Sequence, residues 1–273
     1  MRLHIIASIL EVVGYIAAIL IGVSLGLIGG GGSILTVPVL VYLFGIEANT
    51  AIPYSLFVVG ITSIAGALSY FRKDLVDLRT AIIFGMPSIA MVYLTRSFIL
   101  PIIPEIVWDA ATWKLTKNML LMLLFAIVML MASYSMIRKR SNSDVPEVQQ
   151  PIGYFTVMLQ GALVGMLTGL IGAGGGFLII PALVNLLRLP MKKAIGTSLV
   201  IIAVNSLSGF VFSLSYTAIR WPFILSVAAI AIVGILVGSY LSSFIDGKKL
   251  KPAFGYFVLV MGIIILVKEL VLK

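Results

Sequence analysis

Residues 26 to 66 occur twice. The stretch from Gly26 to Gly66 aligns without a gap on the stretch from Gly169 to Gly209, at a constant offset of 143 residues. Gly26, Gly29, Gly31, Gly32, Pro38, Ser55, Ser63 and Gly66 each meet their own kind in the second copy. Apolar sequence yields chance leucine and isoleucine matches, but not glycines, a proline and two serines in one register. The chain is a duplication, so its fold has to be built from two similar halves.

The element that repeats is almost wholly apolar, and so is the rest: 61% of the 273 residues are hydrophobic and 11% charged. Such a chain cannot present a hydrated surface and belongs in a bilayer. A net charge of +9 would suggest nucleic acid for a soluble domain. Here Lys and Arg sit in short loops between apolar runs, where membrane orientation accounts for them, and no nucleic-acid partner is expected. With no cysteine and one histidine, His4, there is no thiolate site and little for a metal centre; no cofactor is expected. The N-terminal run resembles a secretory signal. It is longer than a signal core, however, and cleavage would remove the first arm of the repeated element, so it reads as a membrane helix.

Apolar segments cover residues 5 to 28, 34 to 44, 48 to 70, 79 to 100, 114 to 137, 151 to 171, 177 to 189, 193 to 214, 221 to 244 and 250 to 271. A span needs roughly 20 residues, so 34 to 44 and 177 to 189 are short, and they are equivalent in the two copies. The expected fold is all-α and polytopic: an N-terminal membrane repeat (1–137), a polar cytoplasmic linker (138–150) and a C-terminal membrane repeat (151–273). Each repeat has one long helix, a glycine break, one short helix and three spans. Placing the Lys- and Arg-rich loops on one side requires each half to cross an odd net number of times, so the halves are inverted. Both termini then lie outside, as do Trp108, Trp113 and Trp221, and residues 101 to 114 form an external loop.

The glycine clusters are where function concentrates. A helix broken within a bilayer leaves amides and carbonyls that only protein or a wet cavity can satisfy. Gly30, Gly31, Gly32 and Ser33 in one half, and Ala173, Gly174, Gly175 and Gly176 in the other, open short helices whose N-terminal amides favour anions. On the following span Ser55, Thr62, Ser63 and Gly66, and in the other half Ser198, Asn205, Ser206 and Gly209, form one helical stripe each, able to line a cavity with neutral donors. The competing reading of the glycines is close helix packing, strongest for the Gly22 and Gly165 columns. Serine and threonine also bond back to their own helix. A nucleotide-binding reading of the glycines lacks the strand and the acidic or GK[ST] residues it needs. Fixed charge is scarce in the spans: Glu11 is the one carboxylate well inside an apolar run. No nucleophile–base or paired-carboxylate set is present, so an enzyme is not expected.

The glycine-to-proline pattern at Gly29 to Pro38 and Gly172 to Pro181, followed by A-I-G-T-S-L at Ala194 to Leu199, resembles the sulfite exporter TauE/SafE family of membrane permeases over nearly the whole chain. The resemblance implies transport of small anions such as sulfite and sulfonates across the cell membrane. The first copy departs from the pattern, with Pro53-Tyr54 where the second has Gly196-Thr197. The expected partners are a small anionic solute and the lipid bilayer, with room for a homo-oligomer. The rival functions are an anion channel and a membrane scaffold that transports nothing.

Overall fold

A computed structural model describes residues 2–99, 102–110, 113–137, 154–171, 176–214 and 219–271. The first half supplies helices α1 (Arg2–Ile28), α2 (Gly31–Tyr42), α3 (Ala48–Phe71), α4 (Leu78–Leu94) and α5 (Lys117–Ile137). The second supplies α6 (Tyr154–Ile171), α7 (Gly176–Pro181), α8 (Met191–Ser213), α9 (Trp221–Phe244) and α10 (Gly247–Val271). π-Helical turns extend α4 through Thr95–Ile99 and α7 through Ala182–Leu186. Long and apolar enough to cross a bilayer among the described residues are Thr50–Phe71, Leu78–Ile99, Met119–Ile137, Met191–Ser213 and Trp221–Phe244; Val12–Ile28, Tyr154–Leu170 and Pro252–Lys268 are shorter apolar stretches. The linker of residues 138–150 lies outside the described residues.

The segment expected to form an external loop, residues 101 to 114, contains most of a hairpin of β1 (Ile106–Ala110) and β2 (Trp113–Thr116), paired antiparallel. It has no counterpart in the second half, where α9 ends at Phe244 and α10 starts at Gly247. The repeat offset of 143 residues therefore lapses after the fourth helix.

Packing contacts fix the helix directions. Gly60 of α3 lies against Leu207 of α8, Gly66 against Leu199, and Gly209 against Leu56, so α3 and α8 are antiparallel. Gly255 against Ile137 and Gly262 against Met129 make α5 and α10 antiparallel as well. On α1, Gly22 and Gly26 climb past Ala231 and Ile235 of α9 in parallel, while Gly161 and Gly165 of α6 climb past Phe84 and Ser88 of α4. Phe57 meets Trp221 edge to face and Ser69 bonds Ser239, so α3 is parallel to α9. Gly85 beside Ile201 and Ser88 bonded to Asn205 make α4 parallel to α8. Hence α1, α3 and α9 run one way and α4, α6 and α8 the other, and each of these helices opposes its counterpart. The two repeats are inverted and interleaved, with α3 and α8 crossing at the pseudo-two-fold.

The interleaving is fixed by glycines. A methyl group on Gly22 would lie 2.0 Å from the Ala231 carbonyl oxygen, and one on Gly165 would lie 2.3 Å from that of Ser88. These small-residue columns exist to bring backbones together.

The Pro53-Tyr54 departure has a structural answer. Thr197 Oγ1 accepts from the Asp77 amide at 2.9 Å, and Tyr54 Oη accepts from the Arg220 amide at 2.8 Å. Asp77 and Arg220 are repeat equivalents and precede α4 and α9. Two different hydroxyls thus satisfy the same orphan amide in the two halves. Gly196 allows the short side chain to suffice, because the α3–α4 turn comes so close that a methyl there would meet the Leu75 carbonyl oxygen at 2.2 Å.

Candidate functional site

The first break forms because Gly29 takes φ +75°, a conformation that ends α1 and that a residue with a side chain adopts only under strain. After it, α2 starts at Gly31 and points its N-terminus toward that of α7. A methyl on Gly176 would sit 3.1 Å from Ser33 Oγ and 3.2 Å from Gly30 Cα. The two short helices meet head to head at the centre of the molecule. Ala173, Gly174 and Gly175 lie outside the described residues, and Gly31 is placed by its backbone alone.

Beside this junction runs α8. Ser198 is fully buried; its Oγ donates to Ile195 O at 2.8 Å and lies 3.4 Å from Gly29 O. Ile202, one turn on, touches Gly176. Asn205 follows, its Nδ2 donating to Ser88 Oγ at 2.9 Å while its Oδ1 has no partner. Thr62 of α3 is the repeat equivalent of Asn205, and the α3–α8 register sets the two level at the crossing. Thr62 Oγ1, Ser63 Oγ and Ser206 Oγ are likewise buried without a hydrogen-bond partner. Ser55 is buried on α3, about two turns before Thr62.

The alternative of hydroxyls bonding back to their own helix therefore divides the set. It holds for Ser33, which donates to Gly30 O at 2.8 Å, for Thr36, which donates to Gly32 O at 2.8 Å, and for Ser198. It fails for Thr62, Ser63 and Ser206. Each buried orphan of this kind costs about 1–3 kcal/mol, and four on one crossing are the profile of a place that hydrogen-bonds to something besides the protein. A groove of about 300 Å³ between α3 and α8, lined by Ile64, Leu68, Phe71 and Val204 among others, is wholly apolar and suits acyl chains instead.

The two ends of the crossing differ. At the end carrying Arg72, Lys73, Arg79 and Lys192, Tyr70 Oη donates to Gly26 O at 2.7 Å and pairs with Ser242 Oγ at 2.6 Å. Ser69 and Ser239 bond at 2.7 Å, and Lys73 Nζ donates to Ser239 O at 2.8 Å. Gly26 O is one of the carbonyls that the end of α1 leaves without a helical partner, so Tyr70 closes α1, α3 and α9 together. Tyr70→Phe is expected to leave that carbonyl unpaired and to lower stability by about 1–3 kcal/mol, read as a drop in thermal unfolding temperature in detergent; an unchanged midpoint would remove the closure role. The opposite end bears Trp221, half exposed, and the hairpin with Trp108.

There Arg96, which the sequence does not single out, brings its guanidinium between α4 and α8: Nη1 lies 3.9 Å from where a methyl on Gly209 would be. Among the described residues no group of His, Asp or Glu side chains is arranged to hold a metal.

Residues 15–265 match the family described as sulfite exporter TauE/SafE. A probable membrane transporter protein of Xylella fastidiosa is 31% identical over 255 residues, covering 90% of this chain and 91% of its own. The probable membrane transporter protein YunE of Bacillus subtilis is 27% identical, with 93% of this chain and 95% of that one aligned. One from Methanocaldococcus jannaschii is 26% identical, with 94% of each aligned.

Proposed function

Because the chain belongs to the sulfite exporter TauE/SafE family, we propose that this multi-pass membrane transporter carries small sulfur oxyanions, sulfite or sulfonates, out of the cell across the cell membrane. The observation that carries the reading is the head-to-head meeting of two helix N-termini beside a crossing with four unpartnered buried polar atoms. Amide dipoles and neutral hydroxyls favour an anion there. The proposed contacts are the clusters Gly30–Ser33 and Ala173–Gly176 with Ser55, Thr62, Ser198 and Asn205.

The end rich in Lys and Arg is the cytoplasmic one on this reading, with the linker, and both termini are outside. Single cysteines at the equivalent positions Asn49 and Lys192 are then expected to label with an impermeant thiol reagent from opposite faces. Labelling from one face would refute this topology.

Access alternates as two bundles tilt, each drawn from both repeats. Backbone-to-backbone glycine contacts tie α1 to α9 and α6 to α4, whereas Gly60 and Gly66 meet chiefly side chains. Side-chain interfaces slide; interlocked backbones do not. The moving units on this reading are α1–α2–α3–α9 and α4–α6–α7–α8, hinged where α3 crosses α8. Flux of sulfite, thiosulfate, sulfoacetate and taurine in proteoliposomes tests the function: saturation with counterflow supports a carrier, unsaturable flux a channel, and none a scaffold.

A further inference from the structure

Arg96 breaks the symmetry of the repeat. Its equivalent is Ser239, a member of the hydrogen-bonded closure at the basic end, joined to Ser69 and, through its carbonyl, to Lys73. The same column at the other end holds a cation. Arg96 sits in the π-helical turn Thr95–Ile99, and such a turn re-aims side chains relative to the α-helix before it. The head of Arg96 lies beside Gly209, its Nη1 3.9 Å from where a methyl there would be, one helical turn beyond Asn205 and Ser206. Arg96 Nε is buried without a hydrogen-bond partner. Next to it in the chain, Thr95 is fully buried and packs on Gly169; Thr168 is 4% exposed, and neither hydroxyl is partnered.

Arg96 as a whole is half-buried, but a guanidinium with its Nε sealed from solvent is costly unless paired, and among the described residues no carboxylate pairs with it. Its planar fork matches two oxygens of a sulfite or sulfonate group. We infer that Arg96 is the cation that receives the transported anion on the outward flank of the site, binding its oxygens in a bidentate pair between the helix breaks and the exit. This rests on the transport reading above. It makes the two half-sites unequal: the break on the Ser239 side offers amides and hydroxyls, the other adds a full charge. Arg96 is thus a determinant of anion affinity and of the choice between charged and uncharged solutes.

The oxyanion could equally come from a lipid phosphate, and the test separates the two. Sulfite binding, read as thermal stabilisation against equal ionic strength of chloride, is measured in a neutral detergent without lipid. Flux is then measured in zwitterionic vesicles with and without phosphatidylglycerol. Arg96→Gln is expected to weaken sulfite about tenfold to a hundredfold, the effect of losing a charged hydrogen-bond partner, in detergent and in both vesicle types. Arg96→Lys keeps the charge, loses the fork, and should fall between. If Arg96→Gln does not fold, Arg96→Lys carries the test, a several-fold weaker affinity supporting the assignment and an unchanged one overturning it. Unchanged affinity in a folded Arg96→Gln overturns it, as does an effect confined to vesicles with phosphatidylglycerol, which would make lipid phosphate the partner. A wild-type protein that responds to none of sulfite, thiosulfate and sulfoacetate overturns the transport reading and the Arg96 assignment together. A wild-type response that Arg96→Gln retains overturns only the latter.

Discussion

Gly165→Val is expected to leave no folded protein, and Gly176→Val to leave folded protein that transports nothing. Both are glycines in the second repeat, yet their surroundings differ. The first methyl of a side chain at Gly165 meets the Ser88 carbonyl oxygen at 2.3 Å and Ser88 Cα at 2.6 Å. Those are backbone atoms of α4, and they retreat only if α4 and α6 part along their length. Overpacking of side chains alone costs about 1–3 kcal/mol; separating two helices also breaks the Ser88–Asn205 bond that ties α4 to α8. At Gly176 the tightest neighbour is the tip of Ile202, at 2.7 Å, which can rotate away. The next are Ser33 Oγ and Gly30 Cα, both belonging to the opposite break. Branched carbon there fills the junction where an anion would reach the α2 amides. Size-exclusion profile and thermal unfolding report the first outcome, and flux in proteoliposomes the second. A monodisperse Gly165→Val would show that the interleaved packing is looser than its backbone distances require. Full transport by Gly176→Val would move the anion path away from the junction.

The inverted repeat is legible in the sequence because two independent signals agree, the glycine register and the opposite charge of equivalent loops such as those at Asn49 and Lys192. The head-to-head breaks follow from the same register. Interleaving is not legible: Gly22 and Gly26 mark close packing without naming α9 as the partner, since any smooth helix face would satisfy the pattern. The mismatch at Pro53-Tyr54 looks like a loss of equivalence, because a hydroxyl's reach depends on how far the facing turn stands off. Tyr54 and Thr197 do the same work at different distances. Arg96 is hidden by its place near the end of an apolar run, where an arginine normally reaches back to the interface. Only the π-helical turn and Gly209 together show that it bends inward. The hairpin is hidden because Ala111 and Thr112, which separate its strands in the sequence, include none of the glycine or asparagine that marks tight hairpins.

Anion flux through this protein is expected to follow the membrane potential without any pH gradient. The proposed central contacts are amides and hydroxyls, so the bundle that tilts carries no compensating charge at the crossing, and the substrate's own charge moves through the field. Arg96 does not alter this. On the proposed topology it would lie at the outward end of the path, lowering the energy of the arriving anion without accompanying it from the cytoplasmic side. A negative interior favours expulsion by about 2.3 kcal/mol per charge per 100 mV, a ratio of roughly fiftyfold at equilibrium by the usual 1.4 kcal/mol per decade. Export on this account needs no coupled ion, and uptake would need one. Glu11 is the carboxylate available for a coupled proton, so Glu11→Gln should leave potential-driven export intact. The measurement is sulfite flux from proteoliposomes under a potassium diffusion potential imposed with valinomycin, at equal pH on both sides. Reversing the potential should reverse the direction of net flux. Flux indifferent to the potential, or flux that requires a pH gradient and disappears in Glu11→Gln, would replace the uniport mechanism with proton coupling.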